Sequence, residues 1–394
     1  MNKGITIPKE NQMKTCLLHR SIDVLMNKKN TDNRMAWIRN LEKLSEYEND
    51  SYFLEYEIAT ETHIPGIFNY NNGKIVCAGF SYEKDINGLQ HYLIRIKIPK
   101  HEEPYYNQVA NKKGYYFSGG IIGELMSLFS VFFQCRFYLI ASYWGELTNQ
   151  TIKIKKENNF TYINCSKEIH PKIFDDRNRN FAIGLTDFLD SIKKLNVDKH
   201  QSYALACYHY ARSLKEVGID SEMLFIRLVS SIETLSESFP LNKKDNPLEG
   251  EIFSQLFNEC DLSDAQRKQL KQILNVSRER IKIYKSKQRF VKFIEKYSKG
   301  YLRGGNWKAK QLKIARKDIP KELSKIYDAR SSYLHKGEPM YLSQFMRNPR
   351  NWDKDPSLGM IVDNKRFSAK EKLPYSYWFE DIVRFCLLKY LDDK

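Results

Sequence analysis

The chain of 394 residues has no pair of cysteines at CxxC spacing, although it carries seven: Cys16, Cys77, Cys135, Cys165, Cys207, Cys260 and Cys386. A scattered, odd-numbered set indicates neither a zinc site nor a disulfide framework. It reads as buried free thiols in a reducing compartment, so a cytoplasmic location is expected. Also lacking is the apolar core of a signal peptide, since Met1 to Asn11 is polar. No long apolar run is free of charge. The most apolar stretch, Ile121 to Tyr143, contains Glu124, Gln134 and Arg136. A charge at the bilayer centre costs at least ~2.5 kcal/mol, so this stretch is expected to form a long buried helix and no membrane association is expected. A P-loop, a Gly-rich dinucleotide fingerprint and a GxSxG elbow are missing, as are internal repeats. The acidic pairs Asp175-Asp176 and Asp392-Asp393 have no His or Cys companion at ligand spacing, so neither a metal nor another cofactor is expected.

What the chain does have is positive charge and enough apolar material for packed cores. The net charge is +16, with 42% hydrophobic and 13% aromatic residues. Between Ser263 and Arg316 there are 17 Lys and Arg against three acids, Asp264, Glu279 and Glu295. Nearly the whole excess lies in that one segment. Polyanion binding and a solvated helix face both account for it.

The length suits two domains, at roughly 100–200 residues each, and the pattern changes near residue 180. Residues 1–180 read as an α+β domain with a small antiparallel sheet. A helix is expected around Asn33 to Tyr47, then strands over Ser51–Ala59, Lys74–Tyr82 and Gln90–Ile98, separated by Pro65-Gly66, Asn71-Asn72-Gly73 and Asn87-Gly88. The apolar helix then starts after Gly119-Gly120, and a short strand follows at Thr151–Lys155. Residues 181–394 read as all-α. Helices are expected over Phe181–Leu195, Gln201–Val217, Ser221–Phe239, Glu251–Cys260, Ser263–Tyr297, Ile319–His335 and Tyr375–Leu391, with Asp220-Ser221 and Ser263 as N-caps. Tyr341 to Pro374, rich in Asn, Pro and Asp, is expected to be mostly irregular.

One stretch carries chemistry. In Ile326-Tyr-Asp-Ala-Arg330-Ser-Ser-Tyr-Leu-His335-Lys-Gly337-Glu-Pro339, a helix with an apolar stripe (Leu323, Ile326, Tyr327, Leu334) is stopped by Gly337 and Pro339. It places an arginine and a histidine on its last turns. Histidine suits either proton transfer of RNA cleavage, and a guanidinium stabilises charge on a phosphorane. Five helical residues rotate a side chain by about 140°, so the two diverge within one copy and a site shared across a two-fold axis relaxes the demand. Spacing alone is weak, because Arg95 and His101 form a second such pair and because an Arg/His pair at a helix end also serves as a surface pair or cap. His209, flanked by Tyr208, Tyr210 and Arg212, reads as core packing.

Arg330-Ser-Ser-Tyr-Leu-His335 resembles the R-x(4–6)-H signature of the HEPN superfamily. Leu224-Phe-Ile-Arg-Leu-Val-Ser-Ser-Ile-Glu-Thr-Leu235 looks like the earlier helix of the same domain, with Glu233 at its acidic position. The order of elements is most similar to the ApeA-like HEPN branch. The resemblance covers about Phe181 to Lys394 and implies a HEPN-like helical bundle that forms a homodimer. It further implies a composite, metal-independent endoribonuclease acting on an RNA substrate in bacterial anti-phage defence by abortive infection. The N-terminal domain is then expected to sense a trigger, such as a phage-derived one, or to hold the nuclease inactive. Arg330 and His335 match the catalytic pair and Glu233 the supporting acid. Ser331 stands where many members have Asn, Asp or His. The basic-helix residues Lys282, Lys285, Lys287 and Arg289, with Lys336, are expected to contact RNA, since charge interleaved with Tyr284, Phe290, Phe293 and Tyr297 suits it. The alternative is a HEPN module that binds nucleic acid or a partner without turnover.

Overall fold

The computed structural model describes residues 33–47, 49–61, 64, 67–79, 88–100, 109–111, 114–116, 120–143, 180–241, 263, 265–266, 269, 285–299, 314–342, 360–362, 364–368 and 370–393. The chain is mixed α+β: an antiparallel five-stranded sheet with helices comes first, and a helical region follows.

Helix α1 (Ala36–Glu46) precedes β1 (Ser51–Thr60), β2 (Ile67–Tyr70), β3 (Ile75–Gly79) and β4 (Gln90–Pro99). The β5 (Val109–Asn111) and β6 (Gly114–Tyr116) hairpin comes next, then α2 (Gly120–Phe133) and β7 (Phe137–Tyr143). The large sheet runs β2-β3-β4-β1-β7, every described pairing antiparallel. β1 and β4 pair along their full lengths, from Ser51 opposite Pro99 to Thr60 opposite Gln90. On β4, Tyr92, Ile94, Ile96 and Ile98 are buried and alternate with half-buried residues, the period-two signature of a strand with one covered face. The turn at Asn71, Asn72 and Gly73 uses three successive left-handed residues to reverse the chain between β2 and β3.

The apolar run departs from the sequence expectation. The helix ends at Phe133, and the rest of the run is β7, an edge strand of the sheet. Gln134 takes a left-handed conformation (φ 55°), which no helix can continue, and Phe-Tyr-Leu-Ile-Ala-Ser-Tyr after it is strand-like in composition. No described helix is long and apolar enough to cross a membrane.

The helical region comprises α3 (Asn180–Lys193), α4 (Val197–Glu216) and α5 (Ser221–Ser236). A helix at 285–297 (α6) follows, then α7 (Ile319–Lys336) and α8 (Ser376–Tyr390). The expected cap is present: the Asp220 carboxylate accepts the Met223 N–H at 2.8 Å. Leu224, Phe225, Leu228, Val229, Ile232 and Leu235 bury the core face of α5, each contributing about 1.5–3 kcal/mol of burial. Phe225 stacks on Phe379 of α8, with ring centroids 5.7 Å apart, and Phe290 of α6 touches both Phe379 and Tyr327 of α7. Between α7 and α8 the expected irregular stretch includes a hairpin, β8 (Met360–Val362) and β9 (Lys365–Phe367). The strand expected at Thr151–Lys155, the helix at Glu251–Cys260 and most of the Ser263–Tyr297 helix lie outside the described residues.

One buried apolar cluster runs through sheet and helices together. α2 packs against α4, and Arg384 of α8 donates to the carbonyls of Val131 and Phe132 at 2.7 and 2.6 Å. The side-chain amide of Gln134 donates to Glu380 and Asp381 of α8, so the left-handed residue that ends α2 also ties it to the helical region. Cys77, Cys135, Cys207 and Cys386 are buried and free.

Candidate functional site

The site is set by the register of α7. Leu323, Ile326 and Tyr327 are buried against the other helices, and Arg330 stands seven residues, nearly two turns, beyond Leu323 on the same face. Arg330 is therefore directed into the helical region rather than into solvent. There its Nη2 meets Oε2 of Glu233 on α5 at 2.8 Å, the two side chains keeping 20% and 23% of their exposure. The Glu233 carboxylate also accepts the Tyr327 hydroxyl, which in turn accepts a hydrogen bond from Ser286 of α6. Burial first, and then the Glu233 charge, hold the Tyr327 phenol well above its usual range. α7 thus meets the α5 carboxylate through two side chains, and α6 joins them through Tyr327. Arg330 Nε is buried and has no hydrogen-bond partner among the described residues, so the Glu233 contact at Nη2 leaves the guanidinium incompletely satisfied.

The end of α7 presents the histidine. Gly337 is left-handed (φ 68°) and its N–H caps the Tyr333 carbonyl at 3.0 Å. His335 and Lys336 are exposed on this last turn, where positive charge also complements the helix dipole. Leu334 continues the apolar stripe in sequence yet is 48% exposed. Beyond the cap, Glu338 accepts from Lys365 at 2.7 Å and stands 3.9 Å from Lys336, which holds its carboxyl below the usual range.

The remaining expected residues are less concentrated. Ser331 is half-buried and makes no side-chain hydrogen bond among the described residues. On α6, Lys287 reaches Asp328 of α7 at 2.6 Å, so it braces the two helices. Lys285 is half-buried, and Arg289 is half-buried with its Nε buried and unpartnered among the described residues. Lys282 lies outside the described residues. Of the second Arg/His pair, Arg95 is engaged with Glu55 across the sheet and His101 is not described. His209 packs beside Tyr208, and burial together with the Arg227 charge pushes its pKa down to about 4. No group of three potential metal ligands occurs among the described residues.

Sequence reasoning missed Tyr327 as a partner of Glu233 and Ser286 as a partner of Tyr327. Tyr327 carried a signal, since it lies one turn before Arg330 on the same face, whereas Ser286 comes from a distant segment and carried none.

No protein-family model, curated protein or solved structure matches the chain.

Proposed function

We propose that the chain is a metal-independent endoribonuclease of the HEPN type, built on its helical region and acting as a homodimer. The observation that carries the reading is the Arg330–Glu233 ion pair between α7 and α5, on the same helix as an exposed His335 in its last turn. A guanidinium clamped on one edge is oriented without losing its capacity to grip a phosphoryl group by its other donors. His335, exposed and free to meet a substrate, is placed for proton transfer.

The chemistry balances without another reagent. One His335 accepts the proton of a ribose 2′-hydroxyl, and the 2′-oxygen attacks the adjacent phosphorus. Arg330 stabilises the extra charge on the phosphorane. The bond to the 5′-oxygen breaks as that oxygen takes a proton from the partner subunit's His335, leaving a 2′,3′-cyclic phosphate and a 5′-hydroxyl. Within one copy the five-residue step turns Arg330 and His335 about 140° apart, and the exposed Leu334 between them supports a second copy packing there. Lys285, Arg289 and Lys336 would attract the RNA backbone. Abortive defence against phage, with the sheet-containing half sensing a phage-derived trigger, is the biological role that suits a latent nuclease of this kind.

Incubation of the purified chain with total RNA in EDTA, with and without lysate from phage-infected cells as trigger, tests the activity. Wild type is expected to fragment RNA and His335→Ala to lose ~10²–10⁴ in rate. Identical profiles would favour the module that binds without turnover, and a strictly monomeric chain in solution would sink the shared site.

A further inference from the structure

Arg330 holds Glu233 at one point where a guanidinium can hold a carboxylate at two. Nε and Nη2 lie on one edge of the guanidinium, and that fork matches the two carboxylate oxygens, so bidentate pairing is common. Here only Nη2 meets Glu233, through Oε2 at 2.8 Å. Nε, the other donor of the edge, is buried and has no hydrogen-bond partner among the described residues. A buried donor left unpaired is unfavourable, so the second contact is being withheld by something.

Tyr327 is placed to withhold it. It stands one turn before Arg330 on the same face of α7, and its hydroxyl donates to the same Glu233 carboxylate. The phenol has little freedom. Tyr327 is 4% exposed, its ring lies 5.4 Å from that of Phe290 between centroids, and its oxygen accepts a hydrogen bond from Ser286 of α6. Burial, and then the Glu233 charge, keep the phenol protonated, so it remains a donor. Tyr327 and Arg330 therefore share one acceptor group, and the less mobile of the two donors sets where that group sits.

We propose that Tyr327 is a positioning residue of the ribonuclease site: its hydroxyl engages the Glu233 carboxylate and so limits Arg330 to a single contact. The assignment rests on the ribonuclease reading of Arg330 and His335. A single contact lets the guanidinium plane pivot about Nη2 toward the phosphoryl oxygens as charge builds on the phosphorane. Without the hydroxyl, the carboxylate turns to accept Nε as well as Nη2, and the arginine is held against Glu233 instead of following the substrate. Ser286 serves the same end one step further out, by fixing the phenol oxygen.

Crystal structures of the full chain and its RNA cleavage kinetics, for wild type, Tyr327→Phe and Ser286→Ala, test the assignment, with circular dichroism to check folding. Tyr327→Phe keeps the ring beside Phe290 and is expected to bring Nε within about 2.7–3.2 Å of the Glu233 carboxylate. Its kcat is expected to fall roughly 10–10²-fold with KM nearly unchanged, and that of Ser286→Ala to fall less. In a Glu233→Gln background, Tyr327→Phe is expected to add no further loss, a dependence that a merely structural tyrosine would not show. An Nε contact unchanged in Tyr327→Phe, cleavage by that variant equal to wild type, or additive losses in the double variant would each overturn the assignment. A wild type inactive on RNA would instead overturn the ribonuclease reading, while the Nε contact, read without turnover, still decides what Tyr327 does to Arg330. Should Tyr327→Phe fail to fold, Ser286→Ala is judged by the same contact and the same kcat.

Discussion

Two arginine–glutamate pairs, one in the sheet-containing half and one in the helical half, show how the same chemistry serves different ends. Arg136, just before β7, has a fully buried side chain and bonds Glu61 through its guanidinium and its backbone N–H. Burial is the main influence on Glu61 and raises its pKa, with Arg136 pulling it back down. Arg330 and Glu233 keep about a fifth of their surface, and an exposed histidine stands on the next turn of the helix. The sealed pair can only hold structure in place. The open one can also receive a substrate.

The sharpest way to break that comparison is to remove each arginine in turn. Arg136→Met leaves a largely buried carboxylate unpaired and is expected to cost ~3–5 kcal/mol in urea unfolding. Arg330→Met, at a partly exposed pair, is expected to cost under ~1 kcal/mol. Equal costs would mean that both pairs are structural.

A second contrast concerns a buried carboxylate on which burial outweighs its charged neighbour, Arg39. Glu124 on α2 accepts the Trp37 N–H at 3.1 Å, and burial pushes its pKa up to about 7 against that bond. Its folded pKa lies above the ordinary carboxylate value of 4.5. The native state therefore holds the extra proton, and the stability this contributes is full below pH 4.5 and lost as pH rises through 7. Glu124→Gln, neutral at every pH, is expected to gain on the wild type across that window by on the order of 3 kcal/mol. Paired chemical denaturation at the two ends of the window checks it, and a constant difference would show that Glu124 stays ionised when folded.

The smallest expected structural effect belongs to Glu233→Gln. Its melting temperature is expected to stay within ~4 °C of wild type, the equivalent of about 1 kcal/mol, while RNA cleavage falls because the guanidinium loses its anchor. A large drop in melting temperature with cleavage intact would place Glu233 with the sealed pairs.

How much of this was legible in the sequence follows from how local each determinant is. The end of α7 was readable because Gly337 is needed for its left-handed cap and Pro339 follows. The start of α5 was readable because Asp220 caps it. The break at Gln134 was not, since Gln-Cys-Arg carries no glycine or proline and the strand after it is specified by pairing with β1 far away in the chain. β2, four residues long, and the β8–β9 hairpin are too short for a period to register. Arg330 and Glu233 could be named from their order along the chain, yet the Tyr327–Ser286 connection draws on two helices that only folding brings together.

The central claim is that the open pair and its histidine cut RNA, and it is tested most directly at the RNA ends. Ligation-based mapping of 2′,3′-cyclic phosphates in phage-challenged cells expressing wild type or His335→Ala reads it without assuming a substrate. Wild type is expected to accumulate such ends at defined positions, reduced ~10²-fold or more in the variant. The same map of ends in both strains would contradict the claim.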